Sequence, residues 1–218
     1  MYKFSNFYYS IRSNYKLALF VWLTRYLLAF AFIPSGMKKV LGQRFTNIGI
    51  DNPIGFFFEA LYRSGMYWNF IGWAQVFAAI LMMTQRFSTL GNIIYFFIIS
   101  NICFITISMH FTGTWVITSL MLFASTCLLL WDANKLQYIF SQKEFLTNSN
   151  NVNLPEASNI WQKSGLLLFT LSIVYVMIEN IITSNHALCF IVFFTSILLT
   201  VLTTIIIELK YSKLRPKL

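Results

Sequence analysis

The chain has 218 residues, of which 57% are hydrophobic and only 11% are charged, about half the charged share of an ordinary soluble domain. This composition excludes a water-soluble globular protein. The net charge of +9 is spread over connections and chain ends, which argues against a nucleic-acid partner. We therefore predict an integral membrane protein whose main partner is the lipid bilayer.

Six apolar stretches are each long enough to cross a membrane, because a hydrocarbon core of about 30 Å needs roughly 20 helical residues. They predict an all-α membrane protein with six transmembrane helices. In chain order the stretches are 17–36, 66–83, 89–109, 111–131, 164–182 and 187–208.

A shorter amphipathic segment follows the first span. Asn52 and Pro53 are typical of a helix start, and Phe57, Phe58 and Leu61 then fall on one helical face. With about 12 residues the segment is too short to span. We predict an interfacial helix that lies flat at the outer membrane surface or caps the helix bundle.

The lengths of the connections predict three regions. Tight turns at 84–88 and 110–113 make neighbouring helices antiparallel, so residues 1–131 form a four-helix membrane bundle. Residues 132–163 are mostly polar and contain a proline, which predicts a cytoplasmic loop. Residues 164–218 form a C-terminal two-helix hairpin with a basic tail.

Basic residues predict the orientation. With the N-terminus inside, eleven of the sixteen Lys and Arg residues lie on the cytoplasmic side and four lie outside, while Arg25 lies within a span. Positive residues favour the cytoplasmic side. We therefore expect a multi-pass protein of the cell (inner) membrane with both termini in the cytoplasm.

Arg25 is the polar residue that the apolar pattern explains least. Its long side chain either snorkels back to the cytoplasmic headgroups or points inward, toward an anion, a quinone carbonyl or a carboxylate. The sequence favours neither interpretation over the other. For the inward orientation the expected partners are Asn101, Gln75 or a backbone carbonyl beside a helix break.

A candidate pocket follows from the antiparallel arrangement. The first helix ends on the outer side near Ser35 and Lys39, and the third returns to the same side at His110. We predict a pocket that opens there between the first four helices, with Arg25 as its floor if that side chain faces inward. Gln75 and Asn101 complete the candidate residues. The sequence has no metal-ligand pattern, and it assigns no catalytic residue.

Several motifs resemble the DoxX-like family of small multi-spanning membrane proteins, over about residues 17–131. The motifs are Arg25, Ser35-Gly36-x-x-Lys39, Gly72-x-x-Gln75, a tight basic turn at Arg86 and His110-Phe111. The chain has neutral Gln75 where that family often has an acid. This departure removes a predicted ion-pair partner of Arg25 and weighs against a proton-coupled role.

Three functions remain open at this stage. The resemblance implies a small membrane subunit or partner-binding module, associated with a membrane redox complex and close to the quinone pool. The first alternative is a quinone-site oxidoreductase component that uses Arg25, Lys39 and His110. The second alternative is a transporter of small solutes or lipids, although the chain has no inverted repeat. Quinone is the one cofactor that these hypotheses suggest, and whether the protein is an enzyme is left undecided.

Overall fold

A computed structural model describes residues 2–140, 152–181 and 186–214. Every regular element in these ranges is a helix, which confirms the predicted all-α membrane fold. The nine helices of the described residues are α1 (Tyr2–Arg12), α2 (Tyr15–Val40), α3 (Pro53–Arg63), α4 (Met66–Met83), α5 (Ser88–Ser108), α6 (Thr114–Trp131), α7 (Ala133–Phe140), α8 (Asn159–Ile181) and α9 (His186–Leu214).

Six of these helices, α2, α4, α5, α6, α8 and α9, are long and apolar enough to cross a membrane. The bounds differ most from the predicted ones at the start of α8 and the end of α9. Helix α2 also differs, since it does not end at Ser35 and Gly36 but continues to Val40. Lys38 and Lys39 therefore lie in its last turn, where positive charge is favourable beside the helix carbonyls.

Two short helices were not predicted, because neither contains a long apolar run. The first is α1, whose Tyr8 hydroxyl donates to the Trp131 carbonyl at 2.6 Å and so joins α1 to the end of α6. The second is α7, which occupies the start of the predicted loop 132–163, while α8 already begins at Asn159. Residues 141–151 of that loop lie outside the described residues.

The spans α2, α4, α5 and α6 form the four-helix bundle, in which α2 packs most closely on α4. Two glycines allow this approach. A Cβ atom on Gly36 would lie 3.0 Å from the Gly72 carbonyl oxygen, and one on Gly72 would lie 2.7 Å from the Gly36 oxygen. The C-terminal hairpin packs through α8 against α2 and α4, where Tyr26 donates a hydrogen bond to the carbonyl of the buried Trp161.

The predicted interfacial helix is confirmed as α3. The Asn52 side chain accepts a hydrogen bond from the Ile54 amide at 2.9 Å, and Pro53 begins the helix. The apolar face that the periodicity indicated is half-buried against the bundle, whereas the neighbouring Phe56 is exposed. Helix α3 therefore covers the end of the bundle at which α2 finishes.

Candidate functional site

Two polar groups of residues inside the bundle involve α2, one ten residues into the helix and one at its C-terminal end. We call Lys39, Ser35 and Gln75 the Lys39 site. We call Arg25, Gln85, Thr89 and Asp132 the Arg25 cluster. The two groups differ in charge balance, because only the second includes a carboxylate.

Lys39 is a buried lysine beside a cavity. Only 6% of its surface is exposed, whereas the preceding Lys38 is exposed. The Lys39 ammonium donates to the Ser35 hydroxyl at 2.8 Å and to the Ser35 carbonyl at 3.0 Å. Both acceptors are atoms of Ser35, one turn earlier in the same helix. The other contacts of the Lys39 ammonium come from other elements of the bundle.

Aromatic rings supply those contacts. The Lys39 nitrogen lies 5.0 Å from the centre of the Phe45 ring and 5.1 Å from that of Trp68, distances at which ring faces attract a cation. Among the described residues no carboxylate forms an ion pair with Lys39. The Lys39 amino group is therefore surrounded by a hydroxyl, a carbonyl and two rings, and no described carboxylate pairs with it.

Gln75 adds an unsatisfied polar atom to the Lys39 site. The side chain is 1% exposed, and its amide nitrogen lies at the limit of hydrogen-bond distance, 3.5 Å, from the Ser35 hydroxyl. Its Oε1 atom is buried without a partner among the described residues. An unpaired buried amide oxygen costs free energy, about 1–3 kcal/mol, so a donor from a water molecule or a ligand would be stabilised there.

A cavity of about 430 Å³ adjoins the Lys39 site, within the range of about 300–1,000 Å³ that is usual for small-molecule sites. Lys39 and Ser35 lie on one side of it, α3 covers it, and side chains of α4 and α5 form the remaining walls. Most of the lining is aliphatic or aromatic. The arrangement suits a ligand that is mostly apolar and carries a small polar group.

The six predicted pocket residues do not come together as one group. Ser35, Lys39 and Asn101 line the cavity, and Gln75 borders it through Ser35. Arg25 and His110 are not among the lining residues of this cavity. Asn101 is exposed rather than buried, and its amide nitrogen donates to the Phe97 carbonyl of its own helix at 2.8 Å. Phe45, Trp68 and the α3 residues of the lining were missed, because they come from elements whose packing no local pattern specifies.

Arg25 points into the bundle and pairs with a carboxylate, as the inward interpretation allowed, but the residues expected as its partners, Asn101 and Gln75, were wrong. Its Nη2 atom forms an ion pair with Asp132 at 2.7 Å, and its Nη1 atom donates to Gln85 at 3.1 Å. Thr89 donates to the same Asp132 oxygen at 2.9 Å. Gln85 in turn donates to the Trp22 carbonyl at 3.1 Å. Arg25 therefore cannot be the floor of the cavity beside Lys39.

The Arg25 cluster joins three parts of the chain. Arg25 belongs to α2, Gln85 and Thr89 flank the turn between α4 and α5, and Asp132 directly follows α6. Gln85 adopts a positive φ of 57°, a conformation that is uncommon for residues other than glycine. Since both charges of the pair are buried and paired, the cluster is better suited to fixing the bundle than to binding a further ligand.

Glu59 fixes the position of α3 over the cavity. It accepts hydrogen bonds from Arg44 at 2.8 Å and from Arg63 at 2.9 Å. These contacts lower the pKa of the Glu59 carboxyl from 4.5 to about 2, chiefly through the hydrogen bond from Arg44. Both arginines are largely exposed, so the effect is one of local order more than of global stability.

We predict that α3 stays ordered in acid until Glu59 is protonated. Because the pKa is lower in the folded state, the stabilisation is complete above about pH 4.5 and disappears as the pH falls through about 2. Hydrogen exchange of the α3 amides, measured relative to the intrinsic rate of each amide at the same pH, should therefore accelerate only near pH 2. In Glu59→Gln it should already be fast at neutral pH, whereas Asp51→Asn, in the preceding connection, should behave as the unaltered protein. Equal exchange in both variants would contradict the prediction.

Within the described residues no three His, Cys, Asp or Glu side chains are placed to hold a metal ion. The three cysteines, Cys103, Cys127 and Cys189, form no disulfide. The other polar groups of the described spans include the buried Glu208 carboxylate of α9, which accepts a hydrogen bond from Ser158, and hydroxyl–amide pairs such as Asn92 with Ser125 at 2.8 Å. Such pairs commonly join helices in membranes.

The fold and the cavity define a multi-pass integral membrane protein. Comparisons of the chain with profiles of known protein families, with curated proteins and with solved structures found no match. The resemblance to the DoxX-like family therefore stays a prediction.

Proposed function

We propose that this protein is a membrane subunit that binds a membrane-soluble ligand at the Lys39 site. The observation that carries the proposal is a buried lysine that faces an apolar cavity without a carboxylate partner in the described chain. A buried amino group without an anionic partner either keeps an expensive charge or loses its proton, and a ligand oxygen would stabilise it in both forms. A side chain kept in such a place is more readily explained by a ligand than by packing.

The alternative explanation is that Lys39 only stabilises the end of α2. The two hydrogen bonds to Ser35 and the two ring contacts do offset part of the cost of burial. However, Lys38 already places a positive charge in the same turn, where it is exposed to solvent. A second lysine is not needed for interaction with the helix carbonyls, which leaves the cavity as the feature that distinguishes Lys39.

The chemistry of the cavity limits the ligand. Lys39 and Ser35 can both donate hydrogen bonds to an oxygen atom, and the rest of the lining is mostly apolar. A molecule with an oxygen-bearing head and an apolar body fits this arrangement. A quinone is one such molecule, and the resemblance to the DoxX-like family also supports it, together with a place beside a membrane redox complex.

The test compares two neighbouring lysines. The unaltered protein, Lys39→Met and Lys38→Met are purified in a mild detergent, extracted with organic solvent and compared by mass spectrometry. We expect one lipid-soluble compound to be retained by the unaltered protein and by Lys38→Met, and to be at least about tenfold depleted in Lys39→Met, as expected for loss of a charge-assisted hydrogen bond. Equal retention in all three would refute the proposal. Thermal unfolding of each variant controls for folding.

The partner-binding role is the second candidate, and the scarcity of ionisable groups in the spans favours it. Among the described residues of the six spans, Arg25 forms the one ion pair, and this pair has no free acid or base for catalysis. A complex would be detected by gentle purification of a tagged chain, followed by identification of proteins that remain bound in stoichiometric amount. Recovery of the chain alone, still with its ligand, would favour the binding role without a partner.

We also propose that both termini lie in the cytoplasm, since eleven of the basic residues then lie inside and four outside. A reporter enzyme that is active only in the cytoplasm should be active when it is fused after Leu218. Fusion in the connection between α2 and α3, for example after Asn47, should give an inactive reporter. The opposite pattern would reverse the orientation and would move the Lys39 site to the inner side.

A further inference from the structure

We infer that the ligand of the Lys39 site is an amphiphile with an anionic head, a carboxylate or a phosphate monoester, whose tail leaves the bundle sideways between α4 and α5. The inference rests on the proposed function and narrows its ligand class. It is carried by the basic side chain of the Lys39 site, by the apolar lining of the cavity and by the side on which the cavity opens.

The charge balance favours an anion over a neutral head. The nearest described carboxylate in an ion pair at this end of the bundle is Glu59, which already accepts hydrogen bonds from Arg44 and Arg63. Lys39 is the basic side chain that lines the cavity, and no described carboxylate pairs with it there. A carboxylate or phosphate would hold the Lys39 amino group in its charged form through a charge-assisted hydrogen bond, whereas a neutral head such as a quinone carbonyl would not compensate a charge on it.

The cavity also changes character with depth. Lys39 lies one residue before the end of α2, at the surface end of the span. A Cβ atom on Gly72 would lie 2.7 Å from the Lys39 Cβ atom, so Lys39 is level with Gly72 of α4. Ala74 lies two residues further into α4, about 3 Å at 1.5 Å per residue, and Ile98 lies ten residues from the near end of α5. Both are apolar residues of the lining. The cavity thus continues past Lys39 into an apolar slot within the span, which suits the tail of an amphiphile.

The opening of the cavity faces the lipid. Tyr67 and Phe70 of α4 and Asn101 of α5 line the cavity and are also exposed on the outside of the bundle, with Phe70 64% exposed. On the surface side α3 covers the cavity with Phe57, Phe58 and Leu61. Access from the membrane between α4 and α5 is therefore more direct than access from water. Under the predicted orientation, the ligand comes from the outer leaflet.

The experiment uses three probes with the same 16-carbon tail and the same photoreactive diazirine in that tail. The probes are a fatty carboxylate, an alkyl phosphate and an alcohol, added to the full-length protein in lipid nanodiscs. We expect the two anionic probes to label α4 and α5 and to be displaced by their unlabelled forms. The alcohol should label these helices about tenfold less, since one charge-assisted hydrogen bond is lost. The stronger of the two anions identifies the source, fatty acid or phosphorylated lipid.

Variants separate the head from the tail. Lys39→Met should reduce anionic labelling of α4 and α5 about tenfold, whereas Lys38→Met should leave it unchanged. Ala74→Phe fills the apolar slot and should also prevent labelling, while Val116→Phe, at an exposed position on α6, should not. Thermal unfolding identifies any variant that fails to fold, and Lys39→Arg, which keeps the charge, should retain most of the labelling.

The outcomes distinguish this inference from the proposed function. Equal labelling by alcohol and anions, or adducts mainly outside α4 and α5, would overturn the inference. If decylubiquinone then displaces the probes and Lys39→Met abolishes its binding, the Lys39 site binds a neutral head and the proposed function stands. If neither the three probes nor decylubiquinone bind, and the solvent extracts of all variants are the same, the inference and the proposed function are both wrong.

Discussion

Asp132→Ala should lower the free energy of unfolding by about 3–5 kcal/mol, the usual cost of removing one partner of a buried ion pair. Asp132 is 2% exposed and accepts hydrogen bonds from both Arg25 and Thr89. Its removal leaves the Arg25 guanidinium uncompensated and releases the end of α6 from α2. Unfolding in detergent by heat or denaturant, followed by helical circular dichroism, measures the effect.

A double variant tests whether the loss comes from the unpaired charge. Replacing both partners, as Arg25→Leu with Asp132→Leu, removes both charges together, and exchange of a buried pair for apolar residues is often neutral or stabilising. We expect the double variant to recover most of the stability lost in Asp132→Ala. Asp51→Ala is the matched control at an exposed aspartate and should change stability by less than about 0.5 kcal/mol. A double variant as unstable as the single one would show that the cluster acts through packing instead.

The sequence contained a signal for this ion pair that the apolar pattern concealed. Asp132 is the first residue after the fourth predicted span, so it was assigned to a polar loop. In the predicted topology the start of the first span and the end of the fourth lie on the same side. A long arginine about 15 Å into the first helix can reach back toward that level. An acid at the end of a neighbouring antiparallel span is therefore a better partner than a deep amide such as Asn101.

The fold was largely predictable because the bilayer imposes a length on each span. The bounds of α4 at Met66–Met83 agree with the predicted stretch, and α3 follows from the Asn52 cap and its apolar face. Helices α1 and α7 were missed because an amphipathic surface helix of 8–11 residues has no such length constraint. What fixes α1 is the long-range contact of Tyr8 with Trp131, which no local pattern contains.

The candidate site was predictable only where one helix carries it. Ser35 and Lys39 are one turn apart, so their contact follows from helical geometry alone. The aromatic rings around Lys39 come from the connection after α2 and from α4, and their approach depends on how these elements pack. His110 was predicted at the correct end of α5, but its side chain is exposed on the turn and does not reach the cavity. Depth along a span can be read from sequence, whereas the direction of a side chain around the helix axis depends on packing.

The close contact of α2 with α4 gives the last prediction, because the Lys39 site is built on it. Gly72→Ala should destabilise the protein by about 1–3 kcal/mol, the usual cost of overpacking. In an ordinary helix the same change is worth about 1 kcal/mol in the stabilising direction. The new Cβ atom would lie 2.7 Å from the Gly36 oxygen, 2.7 Å from the Lys39 Cβ atom and 2.9 Å from the Val40 amide nitrogen. Two of these atoms belong to the backbone, so the helices have to separate.

Separation of the two helices should also move Lys39, since its Cβ atom is in direct contact with the new methyl group. We therefore expect Gly72→Ala to weaken retention of the membrane-soluble ligand as well as stability. Gly49→Ala is the control, because a Cβ atom there would have only the Asp51 carboxylate nearby, at 3.9 Å. Thermal unfolding and mass spectrometry of solvent extracts measure the two effects on the same samples. A Gly72→Ala protein that is as stable as Gly49→Ala and keeps its ligand would contradict the prediction, since the α2–α4 contact could then not be what positions Lys39.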